Sequence, residues 1–123
     1  MSEIDKLAHY FSRFPGIGTR QARRFVYFLL SGNPQFAREI SSEIQSLLLH
    51  TEQCGECRRY FEKSYGRKNA FCDICVDSSR DASTLMVVEK DVDLTAVQKS
   101  GVYHGRFFII GSLIPLKEIK NPT

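Results

Sequence analysis

Residues 54–75 read CGECRRYFEKSYGRKNAFCDIC, and this stretch decides how the middle of the chain folds. It contains all 4 cysteines, arranged as two Cys-x2-Cys pairs: Cys54 with Cys57, and Cys72 with Cys75. Each pair can form a knuckle whose two thiolates point at one ion, and the intervening residues allow the two knuckles to meet. We therefore predict that these four residues bind one structural Zn²⁺, in a closed tetrahedral shell without a position for water or substrate.

Two other readings of the cysteines stay open, namely unrelated reduced thiols and a [4Fe-4S] cluster, although nothing else in the chain suggests electron transfer. Disulfides are disfavoured, because we expect a cytoplasmic protein whose thiols stay reduced. Residues 1–11 carry Glu3, Asp5 and Lys6 where a secretory signal would need an apolar stretch. No run of about 18 apolar residues suggests a membrane span.

The composition is that of an ordinary soluble globular protein of one or two small domains, with 123 residues, 42% hydrophobic and 25% charged. The formal net charge of +3 is mild, but its distribution is uneven. Between Lys6 and Arg38 there are 6 basic residues and no acidic one, which leaves −3 for the rest of the chain. This asymmetry indicates an anionic partner for the basic segment.

Residues 1–50 show the apolar periodicity of helices, with a break near Gly32 and a third helix predicted from Pro34 to about His50. Asn33 before Pro34 suits a helix cap followed by the first helical position. We expect the apolar stripes of these helices to be core. The stripes consist of Ile4, Leu7 and Phe11; Ala22, Phe25, Val26, Leu29 and Leu30; and Phe36, Ile40, Ile44, Leu47 and Leu48.

The remaining chain divides into a polar cysteine section, residues 51–79, and an α/β section, residues 80–123. Because the cysteine section is too polar to bury a core of its own, we expect a metal to substitute for that core. In the α/β section the pattern predicts a strand over residues 84–88, a helix capped by Asp93 and running through Lys99, and a strand over residues 106–110. The whole chain is therefore predicted to be a multi-part α+β protein.

The turn Phe14-Pro15-Gly16-Ile17-Gly18 stands between two helical patterns and precedes Arg20, Arg23 and Arg24. We predict that Gly16, Gly18 and these three arginines contact a DNA backbone. Gly16 and Gly18 permit backbone conformations and a close approach that a Cβ would obstruct, so amide groups of the next helix can face a phosphate. Arg20 and Arg24 lie four residues apart on one helix face and can add phosphate contacts without reading bases. The alternative is a plain interhelix turn with solvated arginines.

Glu89 follows the apolar run Val87-Val88 at the end of a predicted strand. A carboxylate in this position can ligate Mg²⁺, but it is more often a solvated strand end or a helix cap.

The order of these motifs along the chain resembles that of the RecR family of bacterial recombination mediators. The residues that carry the resemblance are the Pro15–Gly18 turn, the four cysteines, Arg80-Asp81, the run from Met86 to Glu89, the run from Gly101 to Phe107, and Ile110-Gly111. The resemblance implies a helix-hairpin-helix DNA-binding unit over residues 1–50, a four-cysteine zinc motif over residues 51–79, and the N-terminal part of a Toprim domain over residues 80–123.

The resemblance also implies a function: a non-enzymatic mediator of recombinational DNA repair that works as a homo-oligomer, with no membrane involved. Such a protein acts with RecO and RecF at gapped or single-strand/double-strand junction DNA, where it helps to load RecA. Arg20 and Arg24 match the basic positions after the hairpin. Glu89 matches the Toprim acid, which is expected to contact a partner.

Two features depart from the family pattern. The chain ends at Thr123, before the rest of the Toprim domain, so we expect partner chains to cover its unfinished sheet or the α/β section to be only marginally stable. Residues 111–116, GSLIPL, differ from the family's usual Gly-Gly and Ser-Pro-Leu arrangement. Two alternative functions remain: a fragment of a metal-dependent Toprim enzyme, and a zinc-ribbon adaptor that binds only proteins.

Overall fold

The structure is a computed structural model that describes residues 1–63 and 71–111. The chain forms two compact units, Met1–Leu49 and His50–Thr123, which we describe separately. The first unit consists of the helices α1 (Glu3–Ser12), α2 (Thr19–Ser31) and α3 (Pro34–His50, whose last residue begins the second unit). The second contains β1 (Thr51–Gln53), β2 (Tyr60–Glu62), α4 (Asp73–Val76), β3 (Asp81–Val88), α5 (Asp91–Ser100) and β4 (Gly105–Ile109).

Two helices of the first unit, α1 and α3, begin at polar caps. Before α1, the Ser2 hydroxyl accepts a hydrogen bond from the Asp5 amide at 3.1 Å, and the Asp5 carboxylate accepts one from the Ser2 amide at 3.3 Å. Before α3, the Asn33 side-chain oxygen accepts a hydrogen bond from the Gln35 amide at 3.0 Å. The predicted extent of the third helix, from Pro34 to His50, is confirmed.

The core of the first unit is small and lies between α1 and α2. Ala8, Ala22 and Val26 are buried, with Ile4, Phe11 and Ile17 partly buried around them. The two alanines allow the helices to approach closely, because small side chains leave room for the facing backbone.

The prediction that all three helical stripes are core is wrong for α3, which buries none of its residues. The stripe residues Phe36, Ile40, Ile44, Leu47 and Leu48 are all exposed, and Leu7 of α1 and Leu30 of α2 are exposed as well. The core of the first unit is formed by α1 and α2, so within this unit little of the apolar stripe of α3 is covered along its whole length.

The second unit contains two small sheets. β1 pairs antiparallel with β2, while β3 and β4 are parallel and joined by α5. A strand, helix and strand in this order form the predicted βαβ unit, with boundaries shifted by one to three residues. α5 begins at Asp91 rather than after Asp93, and the Asp93 carboxylate accepts a hydrogen bond from the Lys90 amide at 3.1 Å. The predicted α+β fold class is confirmed.

Among the described residues of the second unit, one buried cluster includes all four cysteines. Leu94 of α5 and Phe107 and Ile109 of β4 are buried in one cluster with the cysteines, Phe61 and Ile74. As far as residues 51–63 and 71–79 show, the cysteine section thus has no separate core, as expected from its polarity, and it shares the core of the βαβ unit.

The other face of the parallel sheet is open. Leu85 and Val87 alternate with the partly buried Met86 and Val88 of β3 and remain exposed, as does Ile110 just after β4. Residues 112–116 of the unusual GSLIPL stretch lie outside the described residues. No described helix is both long and apolar enough to cross a lipid bilayer.

Candidate metal centre and basic hairpin

The cysteines are placed by two short local structures. The first pair follows β1, where the Arg58 amide donates to the Cys54 carbonyl at 3.1 Å and closes a tight turn. Arg58 adopts a left-handed backbone conformation in this turn, with φ of 71°. The second pair flanks the first turn of α4, because Cys72 is the residue that caps this short helix and Cys75 lies within it.

The four sulfur atoms converge to within 4.8 Å of one another. The Sγ atoms of Cys54 and Cys75 are 3.7 Å apart, and those of Cys57 and Cys72 are 3.6 Å apart. A disulfide bond needs about 2.05 Å, so these thiols are free. A tetrahedral ion with thiolate bonds of about 2.3 Å separates its sulfur ligands by about 3.8 Å. The donor set therefore fits a single tetrahedral metal ion.

Backbone amides donate hydrogen bonds to two of these sulfurs. The Cys72 amide donates to the Cys54 sulfur at 3.3 Å, and the Arg59 amide donates to the Cys57 sulfur at 3.4 Å. Such N–H···S contacts stabilise negative charge on sulfur, which is the form that binds a metal.

Burial opposes ionisation of Cys57 and Cys75. It raises the pKa of Cys57 to about 12, and together with the charge of Cys72 it raises the pKa of Cys75 well above the ordinary thiol value. For Cys54, burial acts in the same direction, but backbone amides of Cys57, Cys72 and Glu56 outweigh it and lower the pKa to about 6. Four thiolates in this cluster consequently need a cation, and acid should compete with metal binding.

The cysteine loops are attached to the parallel sheet by hydrogen bonds that the sequence did not predict. The Ile109 amide of β4 donates to the Cys57 carbonyl at 2.9 Å. Arg106, also on β4, donates from Nη1 to the Cys75 carbonyl at 2.8 Å and lies 3.7 Å from the Glu56 carboxylate. One feature of the sequence does indicate this role. Arg106 stands between Gly105 and an apolar run, where a charged side chain needs a partner.

The predicted basic hairpin is an open turn between α1 and α2. Gly16 has a φ of 77°, a conformation that favours glycine, whereas Gly18 is extended and caps α2 with no side-chain hydrogen bond. A Cβ built on either glycine would meet nothing within 4 Å, so the space outside the turn is free.

Arg20 and Arg24 lie together on the face of α2 next to Gly18. With Gly18, Thr19 and Gln21 they line one shallow surface depression. Arg24 donates to the Gln21 side chain at 3.1 Å, and the described part of the chain provides no hydrogen bond or ion pair for the Arg20 side chain.

Arg23 takes a different position from its two neighbours. Its Nη1 lies 2.7 Å from the Asp5 carboxylate of α1. This hydrogen bond is the main cause that lowers the pKa of Asp5 and raises that of Arg23. Arg23 therefore already has an anionic partner, whereas the structure brings Arg20 and Arg24 together on an open face.

Glu89 is exposed immediately after β3, at the carboxyl end of the parallel sheet. Its carbonyl accepts a hydrogen bond from the Gly111 amide at 2.9 Å. The nearby acids have structural partners, because the Asp91 carboxylate accepts from the Tyr60 amide at 2.8 Å and Asp93 caps α5.

Arg106→Met should destabilise the second unit by about 1–3 kcal/mol, because it removes a charge-assisted hydrogen bond to the Cys75 carbonyl. Urea unfolding followed by circular dichroism, at a fixed metal content, measures the change. Lys99→Met removes one exposed charge from the same unit and serves as the control. Equal unfolding midpoints for the two variants would contradict this role of Arg106.

Comparison with known proteins shows extensive similarity to curated sequences named recombination protein RecR. The chain is 35% identical over 117 residues to the protein of Chloroflexus aurantiacus, covering 94% of this chain and 54% of that protein. It is 34% identical over 120 residues to the protein of Brachyspira hyodysenteriae, covering 97% and 57%. It is 33% identical over 117 residues to the protein of Hydrogenovibrio crunogenus, covering 94% and 56%.

No protein-family model matches the chain. The chain spans about half the length of the curated relatives it matches. The resemblance indicated by the order of the motifs is thus confirmed, and the chain is a relative of the RecR recombination proteins over nearly all of its own length.

Proposed function

We propose that this chain functions in a non-enzymatic, DNA-binding mediator of recombinational DNA repair. The main support is the similarity of 94–97% of the chain to proteins named for recombination. Within the proposal, the protein works in the cytoplasm at gapped or junction DNA and acts with RecO and RecF to help load RecA. The open arginine face of α2 is the structural feature that supports the DNA contact.

The metal in this proposal is one structural Zn²⁺, held by Cys54, Cys57, Cys72 and Cys75. Buried thiolates with sulfur separations of 3.6 and 3.7 Å suit a single tetrahedral ion. A [4Fe-4S] cluster is less suitable, because each thiolate would bind a different iron and the sulfurs would stand farther apart. Four protein ligands complete the coordination of zinc, so its role is to hold the fold.

The DNA contact in this proposal is made by the hairpin and the first turns of α2. Gly18 provides no side-chain cap and the first turn contains no acidic residue, so amide groups at this helix end can face a phosphate. Arg20 and Arg24 would add contacts to neighbouring phosphates. Such contacts position the protein on the sugar-phosphate backbone and do not read sequence.

Glu89 fits partner contact better than metal-dependent catalysis in this proposal. Two-metal phosphoryl chemistry requires several carboxylates that clamp the ions. Asp91 and Asp93, the acids nearest to Glu89 in sequence, are engaged by the Tyr60 and Lys90 amides. These contacts favour a structural use of both carboxylates, so neither would be free to clamp a metal ion together with Glu89.

Assembly into a homo-oligomer is supported by the apolar stripe of α3. Leu47 and Leu48 are 61% and 75% exposed, and Ile44 is 53% exposed. A contiguous apolar surface of this kind is typical of a protein–protein interface. We propose that a second copy of the chain covers it.

Native mass spectrometry should find one zinc ion per chain. Cys72→Ser should lose the metal and unfold the second unit, because metal-binding energy of about 10–16 kcal/mol is folding energy in such sites. A chelator should lower the melting temperature of the wild type and change nothing further in the variant. A wild type that is metal-free and fully folded would contradict the zinc proposal.

Gel-shift titration on gapped duplex DNA should show that Arg20→Ala/Arg24→Ala binds at least about 10-fold more weakly in low salt. The plot of log affinity against log salt should also become shallower by about two, because two phosphate contacts are lost. Arg38→Ala/Lys99→Ala removes the same charge from other exposed positions and is the matched control. If both double variants behave alike, the hairpin has no special part in DNA binding.

Light scattering on the eluting protein should give a mass above 14.1 kDa for the wild type and a monomer for Ile44→Glu/Leu48→Glu. The two glutamates place charge in the apolar stripe, where a partner would have to bury it. Ser41→Glu/Gln45→Glu adds the same charge at other exposed positions of α3 and should keep the wild-type mass. A monomeric wild type would rule out assembly through this helix.

A further inference from the structure

Arg59 is held against the cysteine cluster through both its backbone and its side chain. Its amide donates to the Cys57 sulfur at 3.4 Å, and its carbonyl accepts from the Cys54 amide at 2.7 Å. Burial lowers the pKa of Arg59, but the neighbouring Cys72, Cys57 and Asp73 side chains outweigh it and raise the pKa, so the guanidinium group lies close to the cluster. Arg59 thus contacts Cys54 and Cys57 directly, whereas its neighbour Arg58 is exposed.

The guanidinium group also carries a buried donor without an acceptor. Within residues 1–63 and 71–111, the Nε atom of Arg59 is inaccessible to solvent and has no hydrogen-bond partner. A buried donor left in this state costs about 1–3 kcal/mol. Metal-bound thiolates are stronger hydrogen-bond acceptors than neutral thiols, so the loaded cluster provides what this side chain lacks.

The net charge of a metal-loaded centre is a second reason to expect a positive side chain next to the cluster. Four thiolates and one divalent cation carry a net charge of −2, and this charge would lie in a core with Leu94, Phe107 and Ile109. A buried charge of this kind is costly unless an opposite charge lies next to it. Arg106 donates to the Cys75 carbonyl rather than to a sulfur, whereas the Arg59 amide donates to the Cys57 sulfur and its guanidinium group is close to the charge of Cys72.

We propose that Arg59 is a positioning residue of the metal centre, whose guanidinium hydrogen-bonds the Cys72 thiolate, offsets the charge of the loaded cluster and thereby slows metal loss. The proposal rests on the proposed zinc site and adds a residue that is not a ligand. An arginine that only filled space would act through its aliphatic stem, and its charge would then be dispensable.

The test measures the rate at which zinc passes from the loaded full-length chain to an excess of a chromogenic chelator. Arg59→Met keeps the stem and loses the charge, and it should release zinc about 10- to 100-fold faster, the usual effect of losing a partner of a metal ligand. Arg59→Lys keeps the charge and should stay within about threefold of the wild type. Arg58→Met is the control and should release zinc at the wild-type rate.

Equal release from the wild type and Arg59→Met would overturn the role of Arg59 while leaving the zinc site intact. Equally fast release from Arg59→Met and Arg59→Lys would also overturn it, because charge would then not be the cause. If Arg59→Met fails to fold, Arg59→Gln replaces it with the same expected result. A wild type that binds no zinc would overturn the metal site and this proposal together.

Discussion

Convergence of four cysteine sulfurs within 4.8 Å is the constraint on which the second unit depends. The cysteines lie in the same buried cluster as Leu94 and Phe107, so the metal-binding loops and the βαβ unit share one interior. The Cys57 carbonyl accepts a hydrogen bond from the edge strand at Ile109, which joins loop and sheet through the backbone. A cation that fixes the sulfurs would therefore also fix the sheet.

The first unit is stabilised by a small apolar core instead of a metal centre. Its core is limited to two alanines and one valine with partly buried neighbours, and it contains no metal-binding cluster among its residues 1–49. What it offers instead are surfaces: an open glycine turn beside Arg20 and Arg24, and the apolar stripe of α3. In the proposed mediator, one surface holds the DNA backbone and the other holds a second copy of the chain.

The features that sequence reasoning identified well are those set by local chemistry. Cysteine spacing determined which thiols could meet, and Asn33 before Pro34 determined where α3 begins. Features that depend on tertiary contacts are harder to predict from the sequence. Periodicity shows that a helix has an apolar face but not whether anything covers it, which is why the predicted core position of the α3 stripe is wrong.

Two further differences between the sequence-based prediction and the structure also arise from tertiary contacts. β3 begins at Asp81 rather than Thr84, because the Asp81 amide donates to the His104 carbonyl at 2.9 Å, a long-range contact that the polar residues 81–83 do not suggest. The roles of Arg59 and Arg106 depend on which carbonyl or sulfur lies opposite each guanidinium in the folded chain, and spacing along the sequence does not contain that information.

Hydrogen exchange of the backbone amides, with and without a chelator, tests most directly whether the metal centre holds the second unit together. The account predicts that the Cys54 and Ile109 amides lose protection together when the metal is removed, while amides in the α1 and α2 cores keep theirs. Continued protection of β4 in metal-free protein would show that the sheet is stable without the cysteine centre and would contradict the account.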